Sequence, residues 1–523
     1  MRRRTFLKTA GGAALAAASL HQSGFATKAS TLAFHPQPAK SIEHVIIIGT
    51  DTFRRDHLGA WGNNWIDTRY LDEFARRSLM VDEYYPASFP TVPNRHDLLV
   101  GRFTHSYMGW SPLPPKEVTL GDALAAHGWY SMLITDTPHI MEKGFYYQRG
   151  FSAYRFIRGQ ESSPVYTMPR DPELPADPGK LRTGGGASSI PHMRYQNWRR
   201  NEEDCFCPQS INAALHWLER NYKEKNWLLY MDTWDPHEPW DPPDYYVDMY
   251  DPGYVGQCPQ YPPYTFTEGV LTEREIKHTA ATYAAEVTMV DRWLGKLLQR
   301  IDDMGLFENT LILFVTDHGI MLGEHGYTGK SLLTKAMSLS IPLYREIVEV
   351  PCIASMPGGR RGRTDAILQT PDIMPTILDA IGSPIPGDVT GKSFTGVLTG
   401  DKDTHRNFAV TTPATGNNPM AKRTKPTIST KEWRLMFPAK HGTAPVIRSG
   451  VSTEERRRAE FELELAARLQ PYSAQLFHRE NDPQQSENRA EAETAVVAEL
   501  EGRWLAHLRE QGAKDAILKP WIL

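Results

Sequence analysis

Cysteine is scarce in this chain: only Cys205, Cys207, Cys258 and Cys352 occur among 523 residues. None has the paired spacing of a zinc finger, and four in a chain of this length build no disulfide framework. An oxidising compartment would still leave open a bridge from Cys205 or Cys207 to Cys258. Past the N-terminal leader there is no apolar run near the ~18 residues needed to span a bilayer, which argues against stable membrane association. Internal repeats and long low-complexity tracts are missing as well. So is any basic excess. The formal charge is −4, and residues 1–28 hold five Lys/Arg and no Asp/Glu, so the remainder carries −9. A global field of that sign disfavours nucleic acid as a partner, and any anion must be captured by a local basic pocket.

What is present is an ordinary soluble composition, 40% hydrophobic and 23% charged. At this length one large domain with a smaller companion is expected. Arg2-Arg3-Arg4-Thr5-Phe6-Leu7-Lys8 precedes a weakly apolar run, Ala10 to Leu20, and then Ala26. This pattern resembles a twin-arginine export leader over residues 1–28. It implies passage through the twin-arginine machinery as a folded, metal-loaded protein to a periplasmic or secreted location.

His44-Val45-Ile46-Ile47-Ile48-Gly49-Thr50-Asp51 is a β-branched run closed by a carboxylate. It reads as a central parallel strand buried on both faces, with Asp51 at the carboxyl end, where open α/β sheets bind ligands. Thr310 to Thr316 repeats the pattern and ends in Asp317-His318. Helices are expected over 67–78, 119–127 (with Thr119 as N-cap) and 273–304, and strands over 130–135 and 226–233. Residues 160–210 and 241–267 read as long surface insertions. The predicted fold is α/β, a large mostly parallel sheet flanked by helices over residues 29–400. A smaller α+β subdomain follows over 401–523, with strands at 431–437 and 475–478 and a helix at 491–511.

Ser88 to Arg102 concentrates a hydroxyl, an amide and a guanidinium behind Pro90 and Pro93. The prolines predict a turn up to Pro93 and a helix starting at Arg95, whose N-terminus suits an anion. An Arg fork there suits sulfate or phosphate oxygens.

Several segments, in order, resemble the sulfatase family of the alkaline phosphatase superfamily: Asp51 to Gly62; Thr91-Val92-Pro93-Asn94-Arg95 through Gly101-Arg102; Asp235-Pro236-His237-Glu238-Pro239-Trp240; Thr316-Asp317-His318-Gly319 with Leu322 to Gly326 and Lys330; and Phe477 to Pro483. The resemblance implies an alkaline phosphatase-like fold and a metal-dependent hydrolase of sulfate esters. Proven sulfatases place Cys or Ser at the head of the C/S-x-P-x-R motif and oxidise it to formylglycine. Thr91 stands there, so no formylglycine is expected. Thr-x-Pro-Asn also resembles the nucleotide pyrophosphatase/phosphodiesterases, whose Thr is the nucleophile. The alternatives are therefore a phosphodiesterase or phosphonate monoester hydrolase using Thr91, or a non-catalytic anion binder.

On this reading Asp51, Asp317, His318 and Thr91 hold one divalent metal ion. Thr91 is the nucleophile, and Arg95 and Lys330 neutralise the transferring group with help from Asn94. His237 is the acid for the leaving oxygen. His139 and His325 are weaker candidates behind them. Thr52 departs from the paired acids of most sulfatases, and His318 stands where many have the Asn of an Asp-Asn pair, which moves the expected metal from Ca2+ toward Mn2+, Zn2+ or iron. The expected substrate is a small-molecule or saccharide anionic ester.

Overall fold

The computed structural model describes residues 41–167, 170, 172–182, 190–333, 338–413, 425–439 and 473–522. The leader predicted over 1–28 lies outside them. The principal strands are β1 (His44–Thr50), β2 (Leu79–Val81), β3 (Ser88–Phe89), β4 (Tyr130–Thr135), β5 (Ala153–Phe156), β6 (Trp227–Asp232), β7 (Thr310–Thr316), β8 (Cys352–Ser355), β9 (Gly362–Thr364), β10 (Ala409–Pro413), β11 (Thr427–Ser429), β12 (Trp433–Met436) and β13 (Gln475–His478). The principal helices are α1 (Arg69–Arg76), α2 (Thr91–Val100), α3 (Leu120–Ala125), α4 (Phe206–Asn221), α5 (Glu273–Asp303), α6 (Ile373–Ala380) and α7 (Thr494–Glu510).

Eight strands form the main sheet in the order β9-β2-β8-β7-β1-β6-β4-β5. Only β8 runs against its neighbours. β1 sits between β6 and β7 in parallel register, Gly49 opposite Asp232 on one side and Thr50 opposite Thr316 on the other. Every residue of β1 is buried. Its side chains alternate between two cores, as the two-residue period of a strand requires. Val45 and Ile47 join Val92, Leu98 and Leu99 of α2, Leu120 of α3 and Ile373 and Ile377 of α6. Ile46 and Ile48 join Leu71 and Phe74 of α1, Ile211 of α4 and Tyr283, Val287 and Leu294 of α5. A sheet covered on both faces explains why its central strands read as unbroken apolar runs.

The second sheet has the order β13-β12-β11-β10-β3. With α7 it forms the predicted C-terminal α+β layer, cored by Val410, Ile428, Leu435, Leu476, Leu500, Trp504 and Leu508. Its link to the main domain is covalently short. β10 pairs with β3 (Thr412 opposite Ser88, Pro413 opposite Phe89), and β3 runs directly into α2.

Two local expectations are corrected. α2 begins at Thr91, four residues earlier than the prolines suggested, with Pro90 as N-cap and Pro93 inside the first turn. A proline there forfeits only an N–H that has no intrahelical partner. The first helical bond runs from Asn94 N to the Pro90 carbonyl at 3.2 Å. Among its described residues, the segment 160–210 is only partly the surface insertion expected. Glu161, His192 and Cys207 are buried, and α4 supplies part of the core. Its polar side chains are inside because they are paired: Gln160 Nε2 with Asp235 at 2.6 Å, His192 with Asp241 at 2.9 Å. The stretch 241–267 lies largely at the surface, with Tyr246, Tyr261 and Tyr264 buried within it.

Ile47 is fully buried at the centre of the sheet. Ile47→Ala is expected to cost about 2–5 kcal/mol of unfolding free energy, read as a lower urea midpoint. A loss under ~1 kcal/mol would show that β1 does not carry the core.

Candidate active site

Adjacency in the sheet brings three carboxylates together. Asp232 closes β6, Asp51 follows β1 and Asp317 follows β7, and all three are buried. Arg95, one turn into α2, faces all of them. Its Nη1 donates to Asp317 Oδ2 at 2.7 Å and to Asp51 Oδ2 at 3.0 Å. Its Nε donates to Asp232 at 3.1 Å, and Nη2 lies 3.0 Å from the same carboxylate. Each such contact at ~3–4 Å is worth about 4 kcal/mol at an effective dielectric constant of ~20, against the cost of desolvating the ions.

The ligating atoms of Asp51, Asp317 and His318 all lie within 4.8 Å of one another. His318 Nδ1 faces the Gly319 carbonyl at 2.9 Å, so the proton sits on Nδ1 and the Nε2 lone pair faces the cluster. Burial pushes this imidazole down to about 3, which leaves it neutral, the form that binds metal. Asp51 Oδ1 is buried with no hydrogen-bond partner. An orphaned carboxylate oxygen beside a second carboxylate and a neutral imidazole suits a divalent cation. Burial and the neighbouring Asp317 charge also push the Asp51 carboxyl well above its ordinary range.

The backbone is bent to serve this cluster. Thr52 has φ 55°, a left-handed conformation unusual for a β-branched residue, at a cost of about 1–3 kcal/mol. The bend aims Thr52 N at Asp317 Oδ1 at 3.1 Å, and His318 N donates to the same oxygen at 2.8 Å. Tyr283 of α5 holds the bend. Its hydroxyl donates to the Thr52 carbonyl at 2.7 Å and accepts from Arg54 N at 3.0 Å.

Thr91 opens α2 and is buried. Its Oγ1 lies 3.4 Å from His318 Nε2 and accepts from Lys330 Nζ at 3.3 Å. Lys330 also donates to His237 Nε2 at 2.9 Å and approaches His318 Nε2 at 3.2 Å. His237 Nδ1 donates to the Glu238 carbonyl at 2.6 Å. Burial, Lys330 and Arg182 hold His237 well below the usual imidazole range. His237 is thus a neutral acceptor in the resting site. Lys330 stands between it and the Thr91 hydroxyl.

The structure therefore brings Thr91, Lys330, His237, Asp51, Asp317 and His318 to one place. Arg95 joins them with its donors spent on carboxylates. Asn94 Nδ2 instead donates to Thr370 Oγ1 at 3.0 Å. His139 lies behind His237, paired with Glu161 at 2.7 Å and 5.1 Å from the Trp234 ring. His325 is stacked on Tyr344 at 3.7 Å and bonds with none of these groups. All four cysteines are free, so the bridge left open to Cys258 is not made. Sequence reasoning missed Asp232, although it closes the apolar strand Trp227–Met231 as Asp51 closes β1. It also missed Arg182, which reaches Glu238 at 2.8 Å from within the supposed insertion.

The sulfatase family model matches residues 43–383. An arylsulfatase of Clostridium perfringens is 24% identical over 400 residues, 70% of this chain and 80% of that protein. A protein solved in complex with its substrate D-glucosamine-2-N,6-O-disulfate superposes with TM-score 0.65 and 17% identity, covering 91% of this chain and 99% of that one. The phosphonate monoester hydrolase of Agrobacterium radiobacter superposes with TM-score 0.63 and 18% identity, over 90% and 96% of the two chains.

Asp232→Asn removes the carboxylate that takes the Nε side of Arg95 and leaves that guanidinium in excess beside the cation cluster. Mn2+ affinity of the metal-stripped protein, titrated calorimetrically, is expected to fall about 10–100-fold with the far-UV spectrum retained. Unchanged affinity would show that Asp232 has no part in building the cluster.

Proposed function

The chain belongs to the sulfatase family, and we propose that Thr91 is the nucleophile with which it hydrolyses a sulfate ester. The observation that carries this reading is the placement of Thr91 Oγ1 between His318 Nε2 and Lys330 Nζ, at 3.4 and 3.3 Å, on the first residue of a helix. A divalent cation, Mn2+, Ca2+ or Zn2+, held by Asp51, Asp317 and His318, would supply Lewis acidity that lowers the pKa of the Thr91 hydroxyl and offsets charge on the ester. The remaining work falls to side chains. Lys330 passes a proton to His237 Nε2 as it takes the proton of Thr91. Oγ1 attacks sulfur, the ester S–O bond breaks, and the imidazolium of His237 protonates the departing oxygen. Water then cleaves the threonyl sulfate. Backbone N–H groups in the first turn of α2 and the Lys330 ammonium face the anionic oxygens. Arg95 acts by keeping three carboxylates in register, and Asn94 by fixing the first turn of α2 to Thr370.

A threonine has a methyl on Cβ and gives no formylglycine aldehyde hydrate, so the hydroxyl itself must act. The substrate is a small-molecule or saccharide anionic ester. Thr-x-Pro-Asn and the likeness to a phosphonate monoester hydrolase support a second reading, phosphoryl or phosphonyl transfer from the same hydroxyl. Aryl sulfate, phosphate diester and phosphonate monoester substrates, each assayed with several divalent metals, separate the two. Thr91→Ala is expected to lower kcat by several orders of magnitude on the preferred ester, and Thr91→Ser to retain part of it. Near-wild-type turnover by Thr91→Ala would remove the covalent step.

The domain limits 1–28, 29–400 and 401–523, and export as a folded protein through the twin-arginine machinery, rest on the sequence. No helix among the described residues is long and apolar enough to cross a membrane. Replacing Arg3 and Arg4 by Lys is expected to leave the precursor and its activity in the cytoplasm. Undiminished periplasmic activity would overturn the leader.

A further inference from the structure

A cavity of about 210 Å³ lies where the C-terminal layer meets the loops of the main domain, and arginine dominates its lining. Arg55 comes from the loop after β1, Arg345 from just before Glu349, Arg434 from β12 and Arg479 from just after β13. Glu349 is the shared counter-charge. Arg434 Nη2 lies 2.7 Å from its Oε1 and Arg479 Nη2 3.4 Å. Arg345 Nε lies 3.6 Å from its Oε2, which Arg55 also engages. Arg479 further pairs with Glu83 at 2.9 Å. The Asp482 carboxylate, also in the lining, is taken up by Ser486 N and Oγ and Glu487 N at 2.8–3.0 Å. Four guanidinium groups thus face three carboxylates.

Two further features distinguish this seam from an ion cluster that merely fastens two layers. Gln485 is 5% exposed and lines the cavity, and its Nε2 has no hydrogen-bond partner. Arg479 Nε is buried and equally unpaired. Interiors are close-packed and buried donors are almost always satisfied. Here there are open volume, surplus positive charge and two idle donors on lining residues, Gln485 and Arg479. The volume admits a tetrahedral oxyanion with ordered water, since a water takes up ~30 Å³ of liquid.

We infer that this cavity is a second anion site, separate from the active site, that binds a small oxyanion of the sulfate or phosphate class and joins the C-terminal layer to the main domain. Guanidinium forks match the oxygen edges of such ions, and Gln485 Nε2 adds a neutral donor. Glu349 stays ionised within the cluster, because Arg55, Arg434 and Arg479 hold its carboxyl below the usual range against the upward push of burial. The arginines therefore keep their charge, and the surplus is left for the ligand.

Gln485 also offers a clean probe. Its Oε1 accepts from Arg345 N at 2.7 Å. Gln485→Glu keeps that acceptor and puts a carboxylate oxygen where the idle donor stood, so the chain would supply its own anion. Thermal unfolding is followed in a Thr91→Ala background, with and without Gln485→Glu, in potassium sulfate, potassium phosphate or potassium chloride at matched ionic strength. Sulfate or phosphate is expected to raise the midpoint by on the order of 2–4 °C over chloride, saturably, and Gln485→Glu to abolish the rise. With Thr91 intact, Gln485→Glu should leave turnover unchanged. Glucosamine 6-sulfate in place of the free ion separates the two sources: an equal rise means an ester-borne group is accepted, and no rise means that only the free ion enters. The inference is overturned if the rise persists in full in Gln485→Glu, or if chloride matches sulfate. Crystals soaked in selenate should show an anomalous peak in this cavity beside Gln485 and Arg479, and its absence would overturn the inference independently.

Discussion

Three carboxylates crowd the carboxyl ends of neighbouring strands, and much of the structure answers to their mutual repulsion. Parallel pairing of β6, β1 and β7 fixes where Asp232, Asp51 and Asp317 emerge. Within the sheet, Tyr230 and Thr135 give Asp232 only neutral hydroxyl donors. Arg95 supplies the balancing charge, with its two edges turned to different carboxylates, and this demands that α2 arrive with its first turn against the strand ends. Because Thr91 lies four residues before Arg95, the same geometry sets the hydroxyl beside His318 and Lys330. The position of the Thr91 hydroxyl is thus a by-product of charge compensation. Burial makes the arrangement strict, since removing one partner from a desolvated ion cluster is far more costly than at a surface.

Burial also sets the protonation states. His318 and His237 both send Nδ1 to a backbone carbonyl and turn Nε2 inward, and both are held neutral. One neutral imidazole suits a cation, and the other suits a proton relay. Lys330 sits between them within hydrogen-bond reach of each. On the proposed mechanism, proton supply to the leaving group would run through the contact of Lys330 and His237, and Arg182, paired with Glu238 behind it, helps to keep that imidazole neutral. That pair also ties residue 182 to the site.

The C-terminal layer is more than a cover. Its sheet ends on β3, two residues ahead of Thr91, so the registry of β10 on β3 bears directly on the start of α2. At the opposite seam the arginine cavity joins β12, the turn after β13 and the loop that follows Asp51. An anion bound there would lie along the chain from the bend at Thr52. Layer docking and site geometry share a short path.

The sequence by itself determined the sheet and most of the site. Apolar runs that end in acids marked β1 and β7, because strand period and strand-end chemistry are local properties, and the likeness of the clustered motifs to the sulfatase family marked Thr91, His237, His318 and Lys330. The helix from 273 and the C-terminal strand and helix were legible for the same reason. Asp232 shows the limit. Its run has the form of β1, yet only strand order places it beside Asp51. The segment 160–210 shows a second limit, since its charges suggested solvent until their partners, distant in sequence, were in place. Arg95 shows the third. A guanidinium after a proline turn suits an anion on local grounds, but three buried carboxylates claimed it first. Which charges meet is a matter of long-range pairing, and that was decided only by the tertiary structure.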